Sequence, residues 1–594
     1  MASSNGVVAL RDTGTATPTT VWTSQVLNAQ YSTPVFDAAR NLLYVGDSTN
    51  GEVVALDATT GSRFWAYATG QPVMASPALD SSGNLYVGNN SGDLFAFSWR
   101  HSANLTNAVV FDYETNASTY SIRVQVKDEH NASVEGNFTV TLTDDLADNP
   151  AKVIFVKAGA AGTNDGTTWT NAYVDLQDAL SAANAGDEIN VATGTYKPTA
   201  DGNRSLSFTL VNGVSLVGGY AGLVGNNERN MSAYETILSG DIGTLSDDSD
   251  NSYHVVKAVD CNASTLLTGF TIRDGKAYGS GTEEKKGGGI YVQRGAPDLR
   301  YLKLLYNKAE QGAGIYLNDS DADFTSSRIQ GNEAIRGGGM MIRGPSTITL
   351  HSLQFVENMA SQIGGGIDGK RITAEKLRFT RNSAGKGGAI SVEDSYLYLK
   401  LCLFRDNNAT QLGGAIKTYN SHFTISNSVL YGNRADKGGA IHIHTLGAHG
   451  SSYLLEHLTL ANNYAQTTGS AFYRQLGAGT AQLKNSIIWG NVSTGKTILT
   501  DDPTKFNVSH TILQGSGGSS AWAENNATDG GNNLDIDPGF LTPGNPLGPD
   551  GSLGTADDGL QLPSSSPGIN AGAATSSLFD LRENNRTRGS APDL

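Results

Sequence analysis

The chain has 594 residues, 16 % of them charged, 71 glycines and a net charge of −16. That length exceeds a single compact core and calls for several domains or a repeat array; the composition is that of a folded, turn-rich chain. An acidic chain without a basic run argues against nucleic acid as a partner, and no window approaches about 18 consecutive apolar residues, so no membrane insertion is expected.

The opening, MASSNGVVALRDTG, lacks a basic stretch followed by an apolar one, so no signal peptide is visible. Set beside the extracellular reading below, this leads us to expect a fragment or a processed chain. Cys261 and Cys402 lie far apart and form neither a metal spacing nor a disulfide framework; two buried thiols are expected.

Residues 1–100 carry a short repeat. NLLYVGDSTNGEVVALDATTGSRFWAYATG is echoed by GNLYVGNNSGDLFAFSW, with Tyr44-Val45-Gly46 returning as Tyr86-Val87-Gly88 after 42 residues. Ser32-Thr33-Pro34 is answered by Ala75-Ser76-Pro77. Short β runs around a glycine turn at this period describe propeller blades. The residues resemble PQQ-type propeller repeats and cover about two blades. Such repeats are mostly scaffolds, and no quinone cofactor is expected.

Residues 103–149 alternate apolar and polar side chains through two predicted strands, 120–126 and 137–142. With Asp112 and Glu114, then Asp128, then Asp144 and Asp145, this segment resembles the second half of a cadherin-type repeat. The resemblance implies that these carboxylates bind structural Ca²⁺, a cation that takes six to eight oxygens; a plain acidic linker is the alternative.

From residue 150 to the end the chain is periodic. The apolar residue after each small-residue cluster falls at Ile290, Ile315, Met340, Ile367, Ile390, Ile416, Ile441 and Phe472, spaced by 25, 25, 27, 23, 26, 25 and 31. Asn307, Asn332, Asn358, Asn382, Asn408 and Asn433 precede most of these by eight or nine residues, and Ile329, Phe355, Phe379, Phe404 and Leu430 lie just upstream of an asparagine. This period suits one coil of a right-handed parallel β-helix. The large apolar residues point inward, the asparagines stack as an amide ladder, and the glycines turn the corner. The asparagine row is therefore architectural. An amphipathic helix over 174–183 is predicted to cap the first coil. The fold class is all-β: a parallel β-helix solenoid with small N-terminal β modules.

The F-x-x-N…GGAI pairing resembles the repeats of chlamydial polymorphic membrane proteins, which implies a surface adhesin. The flanks, SFTLVNGVSLVGGYAG and SSSPGINAGAATSSLFDLRENNRTRGSAPDL, resemble the opening and closing modules of pectate-lyase-like bacterial surface proteins.

Candidate chemistry is sparse. Lys376, Arg378 and Arg381 fall within one coil, with Arg378 placed to face out, but no lyase or polygalacturonase signature accompanies them. His442 and His444 share one side of a strand, and His422, about one coil earlier, is placed to stack near them; solvent-facing histidines are expected rather than a metal site. Asp550, Asp557 and Asp558 offer a Gly-rich Ca²⁺ loop without the EF-hand spacing. Asp247, Asp248 and Asp250 read as a solvated excursion. The resulting expectation is a non-catalytic secreted or cell-surface protein whose partners are glycans or surface proteins. The alternatives are a polysaccharide lyase or glycoside hydrolase working in a β-helix groove, and a self-associating filament subunit.

Overall fold

The computed structural model describes the chain except residues 1, 4–5, 15–16, 25–27, 98–118, 128–132, 142–150, 224, 226–227, 446–451, 476, 478, 524–525, 575–579, 581 and 583–591. It separates into two compact units, Met1–Leu142 and Thr143–Leu594.

The first unit is built from small antiparallel sheets. Val35–Asp37, Leu42–Asp47, Glu52–Asp57 and Arg63–Ala68 form a four-stranded meander, and Ala78–Leu79, Leu85–Gly88 and Leu94–Phe97 form the second, shorter copy. Tyr44, Leu85 and Val87 share one apolar cluster, with Trp65 lying 5.9 Å from Tyr44 and 5.7 Å from Phe97. The two Ser/Pro stretches meet: Ser32 Oγ donates to the Ala75 carbonyl at 3.0 Å, and Thr33 N donates to Ser76 Oγ at 2.8 Å. Thr119–Lys127 and Ser133–Thr141 form a hairpin, each strand overlapping its predicted span.

The second unit is a parallel solenoid. One coil consists of Asp298–Arg300, Lys303–Leu305, Lys308–Gln311 and Ile315–Ser320, and its neighbour of Asp323–Thr325, Arg328–Gln330, Glu333–Arg336 and Met340–Arg343. Each strand pairs in parallel with the same strand one coil on. Among the described residues the stacked strands make sheets of 24, 11 and 9 strands, the first carrying two strands per coil. One continuous core of Leu, Ile, Val and Phe runs through the middle, and Phe355, Phe379 and Phe404 stack within it at 4.8 and 4.9 Å.

The small-residue cluster has a steric cause at its first two places. Gly387 adopts φ 63°, the left-handed region that side chains disfavour. A Cβ on Gly388 would collide with the Gly414 carbonyl of the next coil, while the third place holds alanine at Ala389 and Ala415.

The asparagine ladder forms, with one correction. Asn382 Nδ2 donates to Asn407 Oδ1 at 2.9 Å, and Asn407 to Asn433 at 2.9 Å. Asn407, not Asn408, is the ladder residue: Asn407 is fully buried and Asn408 is exposed. The reason is the three-residue offset from Phe404, which fixes the corner. The ladder also continues through Asn463 and Asn491, each joined at 2.9 Å.

The capping helix spans Leu176–Ala182, with Asp175 as N-cap accepting from Gln177 N at 2.9 Å. Leu176, Ala179 and Leu180 lie on one face and join Ile154 and Val156 at the open end of the core. Cys261 and Cys402 are free and buried.

Candidate functional site: a basic cleft under the C-terminal segment

One outward-facing column decides where the C-terminal segment lies. Lys303, Arg328, Gln354 and Arg378 occupy equivalent places in successive coils, followed by Leu403, Val429, Thr459, Ile487 and Ile512. The column changes from polar to apolar at Leu403. There the segment after residue 538 folds back over the solenoid: Leu547 packs with Leu403 and Val429, joined by Leu553 and Leu560. Tyr431 Oη donates to the Pro543 carbonyl at 3.0 Å, and Asn485 Oδ1 accepts from Ala573 N at 2.8 Å.

Beyond the seam a cleft of about 470 Å³ opens, lined by Ser352, Gln354, Lys376, Arg378, Leu401, Leu553, Gly554 and Arg582. Lys376 lies at a left-handed corner, φ 59°, and Arg378 on the strand Arg378–Thr380. Arg582 arrives from the C-terminal segment, with Nη1 3.3 Å from Gln561 Oε1. Leu553 and Arg582 also line a second hollow of about 430 Å³ with His457, Asp558, Asp580 and Asp593. Arg381 is outside the cleft, paired with Glu357 (Nε–Oε1 2.9 Å).

The remaining sequence candidates separate. Asp550, Asp557 and Asp558 share one loop, where they accept turn hydrogen bonds: Asp557 from Asp550 N at 3.0 Å, and Asp558 from Gly554 N at 2.7 Å and Thr555 N at 3.1 Å. Burial pushes the Asp558 carboxyl up, helped by the charges of Asp550 and Asp557. Asp112, Glu114, Asp128, Asp144 and Asp145 lie outside the described residues. Among the described residues no three His, Cys, Asp or Glu side chains come together as metal ligands.

Three expectations are corrected. His422 pairs with Tyr396 in the large sheet, away from His442 and His444, because it starts a different strand of its coil. His442 is fully buried rather than solvent-facing, though it does share a face with His444 (ring centroids 6.3 Å). Asp248 is no free excursion: it bonds Lys276 at 2.8 Å and Lys308 at 2.7 Å, and these two ammonium groups hold its carboxyl down at about 2.

A second charged cluster was missed. Asp368, with 1 % of its side chain exposed, receives Arg336 Nε at 2.8 Å and Arg343 Nη2 at 2.9 Å. Glu393 Oε1 receives Lys417 Nζ at 2.6 Å, and Arg336 stands 3.5 Å from the other Glu393 oxygen. Burial would raise the Glu393 carboxyl, but Lys417, Arg336 and Arg343 outweigh it and hold it below its ordinary value. Burial lowers Lys417, against the pull of Glu393. Burial and the Lys417 charge hold His442 down at about 3. The signal was in the motif: the residue after each GGAI isoleucine faces outward, so Asp368, Ser391, Lys417 and His442 had to stack.

A family model described as right handed beta helix region matches residues 288–454. These residues fall within the parallel β-solenoid of the second unit. A second model, outer membrane protein assembly factor BamB, matches residues 2–141, and so spans the PQQ-like repeats and the hairpin, together with Asp112, Glu114 and Asp128 but not Asp144 or Asp145. Among solved structures, the protein is similar to pectate lyase Pel9A at 15 % identity and a TM-score of 0.37, over 75 % of this chain and 96 % of that one. No curated protein matches it.

Proposed function

We propose that this chain is a non-catalytic surface scaffold that binds glycans, with acidic sugars held in the cleft of Lys376, Arg378 and Arg582. One observation carries the reading: three cationic residues, from two solenoid positions and the C-terminal segment, line one cleft in a chain of net charge −16. Guanidinium groups match carboxylates with paired hydrogen bonds. Ser352 and Gln354 offer neutral hydrogen-bonding groups to hydroxyls, and Leu401 and Leu553 offer apolar surface to sugar rings. Glycoside hydrolysis would need two carboxylates across the bond, and the described lining of this cleft holds none. The extracellular setting belongs to the same reading.

Calorimetric titration with oligogalacturonate and oligoalginate tests it, using the whole chain and an Arg378→Ala/Arg582→Ala variant. Ultraviolet absorbance is followed in parallel, with Ca²⁺ and with chelator. The expected result is binding that the variant loses, without unsaturated product. Unsaturated product that depends on Arg378 would establish the lyase reading instead. Absence of binding by a folded chain would sink the glycan reading of the cleft.

A further inference from the structure

On a different face from the cleft the solenoid carries a groove filled by its own side chains, with the floor buried beneath the walls. Its floor is the outward column Asp368, Ser391, Lys417, His442 and Tyr473, in register coil by coil. One wall is the column that ends each short strand before the glycine corner: Arg336, Ile363, Lys386, Leu412 and Lys437. The other wall holds Glu393, Tyr419 and His444.

The first wall leans over the floor. Arg336 bonds Asp368, the Lys386 charge acts on Lys417 and His442, and Lys437 Nζ lies 5.7 Å from the Tyr473 ring centre. Within the groove five cations, Arg336, Arg343, Lys386, Lys417 and Lys437, face the two carboxylates of Asp368 and Glu393; Asp501 bounds it beyond His444. Lys386 has no ion-pair partner among the described residues. Ser391 Oγ and the His442 ring lie buried beneath the walls, out of a ligand's reach, and Gln475 acts on the His442 ring. The excess of positive charge and the unpaired Lys386 favour an anionic ligand.

The wall has a second regularity. Cations alternate with apolar residues, so Arg336, Lys386 and Lys437 recur every second coil, about 9.6 Å apart at the usual strand spacing. An extended sugar chain advances by about one strand spacing per residue. A polymer with one anionic group per disaccharide therefore brings each charge to a cation and each neutral sugar to Ile363 or Leu412. A polymer charged on every residue forces half its carboxylates onto those apolar side chains, at a desolvation cost.

We propose that this groove binds a polysaccharide of alternating anionic and neutral sugars, lying along the solenoid axis. The proposal extends the glycan reading to a second site and names its ligand class. The probe is a fluorescein-labelled hyaluronan oligosaccharide, which carries one carboxylate per disaccharide, with oligogalacturonate as the fully charged competitor. Fluorescence anisotropy is measured on the whole chain, on Lys386→Glu/Lys437→Glu, on the cleft variant Arg378→Ala/Arg582→Ala, and on the two combined. Both lysines are half-exposed, and circular dichroism checks that the charge reversal leaves the fold intact. We expect the groove charge reversal to weaken hyaluronan binding roughly tenfold or more, as loss of charged hydrogen bonds does, both in the parent and again in the Arg378→Ala/Arg582→Ala background, where the cleft no longer holds acidic sugars. Equal hyaluronan binding by the groove variant, absence of hyaluronan binding by the whole chain, or loss only in the cleft variant would overturn the groove. If oligogalacturonate binding disappears only in the cleft variant, the cleft reading stands whatever the groove does.

Discussion

Asn382 gives its side-chain amide to Asn407 at 2.9 Å, while Asn408, one residue further on, faces solvent. Each ladder asparagine also ties backbone to backbone: Asn382 Oδ1 accepts from Asn358 N at 3.0 Å, and its Nδ2 donates to the Phe355 carbonyl at 2.9 Å. The row therefore satisfies main-chain groups that the corner would otherwise bury unpaired.

Replacing Asn382 by alanine should strand the Asn358 N–H and the Phe355 carbonyl. At about 1–3 kcal/mol for each buried unpaired group, the loss is about 2–6 kcal/mol. Asn408→Ala should stay within about 0.5 kcal/mol, as surface changes do. Guanidinium unfolding midpoints of the two variants decide between them; equal midpoints would refute the ladder assignment.

Phe379 lies between Phe355 and Phe404, at 4.8 and 4.9 Å with nearly parallel rings. Phe379→Ala leaves a cavity in a fully buried column and should cost about 3–5 kcal/mol. Phe379→Leu should recover most of that. Thermal melting of the two variants provides the comparison, and an alanine variant as stable as the parent would mean that the coils collapse onto the gap.

Burial holds His254 down at about 4 and His442 at about 3, from 6.5. Both are neutral in the fold and readily protonated when unfolded. Their contribution is complete above pH 6.5 and is lost as the pH falls toward those folded values. Stability should decline on acidification from about pH 6.5 to 4, before most carboxylates titrate. His442→Phe, replacing one ring by another beside Tyr473, should flatten part of that slope. Denaturation midpoints against pH in both proteins measure it; an unchanged slope would remove His442 from the account.

Val429 is 2 % exposed beneath Leu547 although it faces out of the solenoid. Val429→Asp should detach the C-terminal segment without unfolding the coils, because the charge is buried only while the segment is docked. Limited proteolysis should then cut within residues 540–574 first, and ligand binding in the Arg582 cleft should fall with it. A variant that resists cleavage there would show that the Asn485–Ala573 bonds hold the segment on their own.

The period near 25 residues, the inward Phe and Ile, and the outward alternation were legible in the sequence because each coil repeats one local pattern. Strand spacing then leaves little choice but to stack like on like. Tertiary structure decided the rest. Whether Asn407 or Asn408 entered the ladder depended on a corner one residue wide. The insertions between Asn433 and Asn463 broke the period and hid the ladder's continuation. The switch from Arg378 to Leu403 in the outward column could have been read as a covered surface, but not which segment covers it. Arg582 is 204 positions from Arg378, and only the fold-back of the C-terminal segment, driven by burial of Leu403 and Val429, brings them to one cleft. Likewise Arg336, Glu393 and Lys417 belong to different coils, and the stacking register alone makes them neighbours.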